Sequence, residues 1–195
     1  MKITITPTDN SKISEIDFEN LKFGRVFSDH MAELHYKDGA WQSAEIKPYG
    51  PISFEPSMMA LHYGQAIFEG MKAYFSGDTT INLFRPFDHA RRFNNSARRL
   101  CMPEIDENLF VDLLEELLKL DFAWVPKEQG RALYIRPVMF ASEEYLAAKV
   151  SEEYKLFIIT SPVGAYYSEG SNPLKLAPPS ELVRAVNGGT GEAKA

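Results

Sequence analysis

Cysteine is nearly missing from these 195 residues: Cys101 stands alone. One thiol cannot build an internal disulfide framework or a multi-thiolate metal site, and so sparing a use of cysteine fits a reducing compartment, the cytoplasm. Surplus positive charge is missing too. Lys and Arg number 21 against 27 Asp and Glu, a formal net charge of −6, whereas nucleic-acid grooves are built from clustered cations. No stretch approaches the ~20 consecutive apolar residues of a membrane span. The opening Met1-Lys2-Ile3-Thr4-Ile5-Thr6-Pro7 has neither the apolar core of a secretory leader nor the Arg/Ser-rich character of a transit peptide. Neither a nucleic-acid nor a membrane partner is therefore expected. The histidines, His30, His35, His62 and His89, lack helical metal-ligand spacing, so no metal is expected either. Internal repeats and low-complexity tracts are lacking as well. What is present is 45% hydrophobic and 25% charged residues, the composition of a soluble globular protein, and small-molecule chemistry is the expected occupation.

The pattern along the chain is α+β. Residues 1–20 read as a poorly tied arm, with the fold starting near Phe23. Across 27–41, Asp38-Gly39 between aromatic and apolar runs marks a hairpin. Residues 57–69 read as a short buried helix, and 70–85 as a second hairpin turning at Ser76-Gly77-Asp78. A helix opens after Arg85-Pro86, with proline suited to the first turn and Phe93, Ala97 and Leu100 as its buried stripe. Residues 107–120 form the clearest helix, with Leu109, Leu113, Leu117 and Leu120 inward and Glu115 set to pair with Lys119. Strands are expected at 132–140 and 154–160, the second apolar enough to be buried on both faces. Linker-like composition at 168–173 marks a domain boundary, and the residues beyond it are too few for a domain of their own.

Three places carry candidate chemistry. Tyr134 and Arg136 lie two apart in a strand, so a phenol and a guanidinium leave the same face and suit a carboxylate; from spacing alone, a structural ion pair with a local acid is the favoured reading. Pro137 after them suggests an edge or a strand end. Arg91, Arg92, Arg98 and Arg99 make one helix basic within an acidic protein, which is either a solvated face or a source of a phosphate ligand. Lys194 follows the glycine-rich Asn187-Gly188-Gly189-Thr190-Gly191-Glu192-Ala193, which permits close backbone approach to a bulky group but is not a Walker A loop; an exposed terminal lysine is the plain alternative. Asp29-His30 reads as a satisfied polar pair as readily as a catalytic one, and Cys101 as a packed, inert thiol.

Several ordered blocks go further. Phe23-Gly24-Arg25-Val26-Phe27-Ser28-Asp29-His30-Met31, Leu61-His62-Tyr63-Gly64-Gln65-Ala66-Ile67-Phe68-Glu69-Gly70-Met71-Lys72-Ala73-Tyr74, Leu83-Phe84-Arg85-Pro86, Ser96-Ala97-Arg98-Arg99-Leu100-Cys101-Met102-Pro103, Tyr134-Ile135-Arg136-Pro137 and Pro162-Val163-Gly164-Ala165-Tyr166 occur in this order. Together they resemble the branched-chain amino acid aminotransferases, fold-type-IV enzymes dependent on pyridoxal 5'-phosphate (PLP), from residue 23 to the end.

The resemblance implies a small α+β domain at 1–168, a linker at 169–176, and at 177–195 the start of a large PLP-binding domain, the chain being cut just after its catalytic lysine. It implies that Lys194 bonds PLP covalently and moves the proton between substrate Cα and cofactor C4′, and that Arg92 holds the cofactor phosphate. Phe23, Tyr63, Phe68, Tyr134 and Tyr166 would line an aromatic box for leucine, isoleucine and valine side chains, with Arg136 receiving a glutamate carboxylate. The acid facing the pyridine nitrogen would lie beyond residue 195. A ping-pong exchange of the amino group with 2-oxoglutarate, a homodimer, and a loop at 142–153 reaching the neighbouring subunit are implied as well. D-amino acid aminotransferases, aminodeoxychorismate lyases and amine transaminases share the lysine and the phosphate arginine, but the Tyr134-Ile135-Arg136 and Val163-Gly164-Ala165-Tyr166 blocks favour the branched-chain group. A non-catalytic small domain serving binding or oligomerisation is the alternative of another class.

Overall fold

A computed structural model describes residues 1–77, 79–164, 173, 175–177, 181, 183 and 185–195. Among these, nine strands form one mixed sheet with three α-helices. In chain order the elements are β1 (Ile3–Ile5), β2 (His30–Lys37), β3 (Ala40–Trp41), β4 (Ala44–Pro48), α1 (Met59–Tyr63), β5 (Ala66–Phe68), β6 (Met71–Ser76), β7 (Thr80–Leu83), α2 (Pro86–Arg99), α3 (Glu107–Leu120), β8 (Ala132–Ala141) and β9 (Tyr154–Val163). The sheet runs β1-β4-β2-β9-β8-β6-β7, with β3 added to β2 and β5 to β8. No helix among the described residues is long and apolar enough to cross a membrane.

The two long central strands sort their side chains by parity. Leu133, Ile135 and Met139 of β8, with Leu156 and Ile158 of β9, are fully buried on one face. There they join Phe93 and Ala97 of α2 and Phe110, Leu113 and Leu117 of α3 in a single core. Tyr134, Arg136 and Val138 alternate with them and turn to the opposite face. The apolar stripes read in α2 and α3 thus cover one side of the sheet. Leu100 and Leu120 are only partly buried at the edge of this core.

Local chemistry explains most element ends. Asp38 and Gly39 both take positive φ, 54° and 76°, the two-residue turn that matches strand twist, and Tyr36 pairs Trp41 across it. Ser76 pairs Thr80 at the second hairpin, whose Asp78 lies outside the described residues. Proline opens α2, and the Asp106 carboxylate caps α3 by accepting from the Leu109 N–H at 2.9 Å.

The structure departs from expectation in six places. The helix read over 57–69 stops after five residues because Gly64 adopts φ 66° as its C-cap, and the chain resumes as β5. The supposed arm is tied in: β1 pairs β4 in parallel, and Asp29 accepts from the Ser11 hydroxyl, the Lys12 N–H and the Trp124 indole. Asp29 and His30 do not serve each other; His30 Nδ1 donates to Asp121 while its Nε2 accepts from the Thr8 N–H, which fixes the tautomer. Lys119 pairs with Glu116 rather than Glu115. Cys101 is exposed, at φ 56° where the chain turns off α2.

Pro137 corrects the remaining expectation: it sits mid-strand in β8, opposite Ile158 of β9. Its carbonyl accepts from the Glu69 N–H at 2.9 Å, so the donor it lacks would have met Glu69 in return. That is where β5 gives way to β6, and the proline removes a ladder bond at a place where the partner strand is already broken.

Candidate active site

Tyr134 and Arg136 share a face as their spacing predicts, and they touch. The Arg136 guanidinium donates to the Tyr134 hydroxyl at 2.8 Å and lies 4.6 Å from the Phe68 ring centroid. Among the described residues no carboxylate pairs with Arg136, so the structural ion pair that its spacing favoured is absent there. Phe23 leans on Tyr134 with ring centroids 5.0 Å apart. Phe23, Tyr134 and Arg136, with Gly24, Phe27, Ile159, Thr160 and Ser161, bound a cleft of about 240 Å³.

Gly70 is required here by close approach. A Cβ on it would overlap the Tyr134 hydroxyl, so any side chain at this position would push the phenol off its place.

Lys194 is brought to the same ring by the edge of β5 that β8 leaves open. The Phe68 N–H donates to the Lys194 carbonyl at 3.0 Å, the Lys194 N–H donates to Ser96 Oγ at 2.9 Å, and the ammonium stands 4.7 Å from the Phe68 ring centroid. Its glycine-rich approach is held by Arg99, which donates to the Gly189 carbonyl at 2.8 Å and pairs with Glu192. Ala193 is buried. Among the described residues no carboxylate pairs with Lys194.

Glu69, next to Phe68, is completely buried and faces α2. Arg92 grips it with two N–H groups, Nε on Oε1 and Nη2 on Oε2 at 2.7 Å. The Gly70 N–H and His89 Nδ1 reach Oε2 at 2.9 and 3.0 Å. Burial works against its charge, but the Arg92 fork, the Gly70 N–H and His89 outweigh it and hold the carboxyl below its ordinary range. The Arg92 guanidinium is pushed up by the same pairing.

Phe23, Phe68, Arg92, Tyr134, Arg136 and Lys194 therefore gather around the end of β5. Tyr63 is 46% exposed at the end of α1, with its ring beside His62. Tyr166 lies outside the described residues, as does most of the boundary read at 168–173. The reading by residue types missed Glu69 as a support of the cluster and took Arg99 only as one of four arginines on a basic helix. No group of three or more metal-ligating side chains occurs among the described residues.

No protein-family model matches the chain. It is 47% identical, over all of its 195 residues, to the branched-chain-amino-acid aminotransferase 2 of Bacillus subtilis (strain 168), of which it covers 53%. To the branched-chain-amino-acid aminotransferase of Mycolicibacterium smegmatis it is 42% identical, covering 54% of that protein. Over its whole length the chain is thus similar to branched-chain aminotransferases. It spans about half the length of the curated relatives it matches.

Solved structures of this family agree on the fold. The branched-chain aminotransferase of Thermoproteus uzoniensis, crystallised with norvaline, matches with a TM-score of 0.56 over 71% of this chain and 43% of its own, at 24% identity. The T.th. branched-chain aminotransferase with pyridoxamine 5'-phosphate matches with a TM-score of 0.51 over 70% of this chain and 41% of its own, at 25% identity. The α+β expectation and the fold-type-IV assignment both hold.

Proposed function

We propose that this chain supplies the small domain and the catalytic lysine of a PLP-dependent branched-chain aminotransferase. In this reading, residues 1–168 are the small domain, 169–176 the linker and 177–195 the start of the large one. The enzyme transfers the amino group between L-leucine, L-isoleucine or L-valine and 2-oxoglutarate, as a cytoplasmic homodimer. The observation that carries this is the Lys194 ammonium set over the Phe68 ring, with no acid partner among the described residues, beside an equally unclaimed Arg136.

The donor set suits PLP. A lysine bound by a carboxylate would be a poor nucleophile, and among the described residues none binds this one. Arg92 spends one edge of its guanidinium on Glu69, and its side chain, about half exposed, keeps N–H groups for a phosphate. PLP supplies, when bound, the electron sink that makes the substrate Cα–H acidic.

The protein's residues do the rest. Lys194 would take the proton from the substrate Cα and pass it on to the cofactor, its main chain pinned by Phe68 and Ser96 so that only the side chain swings. Tyr134, Phe23 and Phe68 exclude water and accept branched aliphatic groups, while Arg136, steadied by the Tyr134 hydroxyl, receives a second carboxylate when glutamate or 2-oxoglutarate enters. Aromatic walls separate one apolar side chain from another by only about 1–3 kcal/mol, so the three branched amino acids share one site.

The test is borohydride reduction of the PLP-loaded full-length protein followed by peptide mapping, with leucine-to-2-oxoglutarate transfer measured alongside. A pyridoxyl adduct on the Lys194 peptide, absent in Lys194→Ala, is expected together with loss of transfer. A wild type that forms no covalent PLP adduct would sink the proposal.

A further inference from the structure

Glu69 meets Arg92 through both of its carboxylate oxygens and is held by further groups around it. Its side chain is wholly buried, Arg92 meets it through Nε and Nη2, the Gly70 N–H and His89 Nδ1 complete Oε2, and its own N–H is bonded to the Pro137 carbonyl. Fixed backbone on both sides makes the carboxylate a rigid anchor. Arg92, by contrast, has a long side chain that is 52% exposed, and left alone it would lose many rotamers on binding an anion.

We propose that Glu69 is a positioning residue for the PLP phosphate, acting through Arg92. By occupying the Nε–Nη2 edge it turns the other edge of the guanidinium, Nη1 and Nη2, outward in one orientation. A guanidinium fork offers two edges suited to bidentate oxyanions, and Glu69 takes the first so that a phosphate finds the second already aimed. His89 serves the arrangement by satisfying Oε2 without competing for Arg92. This rests on the PLP reading above.

The sign of the effect separates positioning from plain electrostatics. If Glu69 acted only as a nearby negative charge, removing it would tighten phosphate binding, since the phosphate is also an anion. If it positions Arg92, removing the charge loosens phosphate binding. Equilibrium affinities for PLP and for pyridoxal, which lacks the phosphate, are to be measured by fluorescence quenching on the full-length protein as wild type, Glu69→Gln, Arg92→Gln and the double variant. Thermal melting checks that each is folded. Glu69→Gln is expected to weaken PLP about tenfold or more, to leave pyridoxal within about twofold, and to add nothing to Arg92→Gln. Tighter or unchanged PLP binding, or an equal loss for both ligands, overturns the proposal. Should Glu69→Gln not fold, Glu69→Asp carries the same test, because the shortened carboxylate withdraws the anchor while keeping the charge. A wild type that binds PLP no better than pyridoxal instead refutes the phosphate role of Arg92 itself, before any Glu69 variant is considered.

Discussion

Acid should remove a specific share of this fold's stability at Glu33. The residue lies on β2, on the sheet face away from the helices, with only 7% of its side chain exposed. Its Oε1 is 2.5 Å from His35 Nε2, and its Oε2 pairs with the Lys47 ammonium. The His35 hydrogen bond contributes most, burial opposes, Lys47 adds to the first, and the carboxyl is held down to about 2 from an ordinary 4.5. That fall corresponds to about 3 kcal/mol at roughly 1.36 kcal/mol per pH unit. His35 and Lys47 are 47% and 36% exposed, so screening by water reduces the expected contribution to about 2 kcal/mol. Because the folded-state value is depressed, this stability is fully present above pH 4.5 and drains away as the pH falls toward about 2. Other carboxylates titrate over the same range, so the measurement is a difference: urea unfolding of wild type and Glu33→Gln at several pH values between about 6 and 2.5. The gap between the two should be about 2 kcal/mol near neutrality and fall to about a quarter of that at the acid end. A gap that stays constant with pH would mean that Glu33 contributes by packing, and would refute the electrostatic reasoning.

Arg136→Gln should lower kcat/KM for glutamate and 2-oxoglutarate about 10- to 100-fold, the worth of a charge-assisted pair, while the leucine half-reaction changes by less than about threefold; equal losses would deny the side chain its carboxylate role. Gly70→Ala should push the Tyr134 hydroxyl aside and loosen Arg136 with it, so KM for the dicarboxylic substrates rises several-fold or more at little cost to melting temperature. Asp29→Ala should release three donors at once, from Ser11, Lys12 and Trp124. A loss of about 1–3 kcal/mol is expected, with faster amide exchange in residues 6–13 and none in β8; protection unchanged at the N-terminus would show that β1 pairing suffices.

What could be read in the sequence was local. The Asp38-Gly39 turn, the proline that opens α2 and the leucine stripe of α3 are each decided within one turn of chain, and each appears where its residues place it. Pairing between distant segments carries no such signature. β1 is three residues long and joins β4 in parallel across some forty residues, which no periodicity in 1–20 announces. The Glu69–Arg92 fork spans 23 residues; its members look like any acid and any member of a basic helix. The period of two sufficed to put Tyr134 and Arg136 together, but only the family resemblance pointed to Lys194 beside them.

The register of β5 carries the site, and two residues with no functional chemistry set it. Ile67 opposite Met139 turns into the core, so Phe68 must face the other way, toward Arg136 and Lys194, and Glu69 turns back toward α2. A slip of one residue would exchange them, burying the ring against Arg92 and offering a carboxylate to Lys194, which would bind the ammonium as a salt and end its use as a nucleophile. Pro137 prevents the strand from pairing onward because it has no N–H to offer Glu69. Gly70 then lets the chain cross where the Tyr134 hydroxyl occupies the space of a Cβ. The break between β5 and β6 is thus what holds the lysine's ring and the arginine's carboxylate on opposite sides of one short strand.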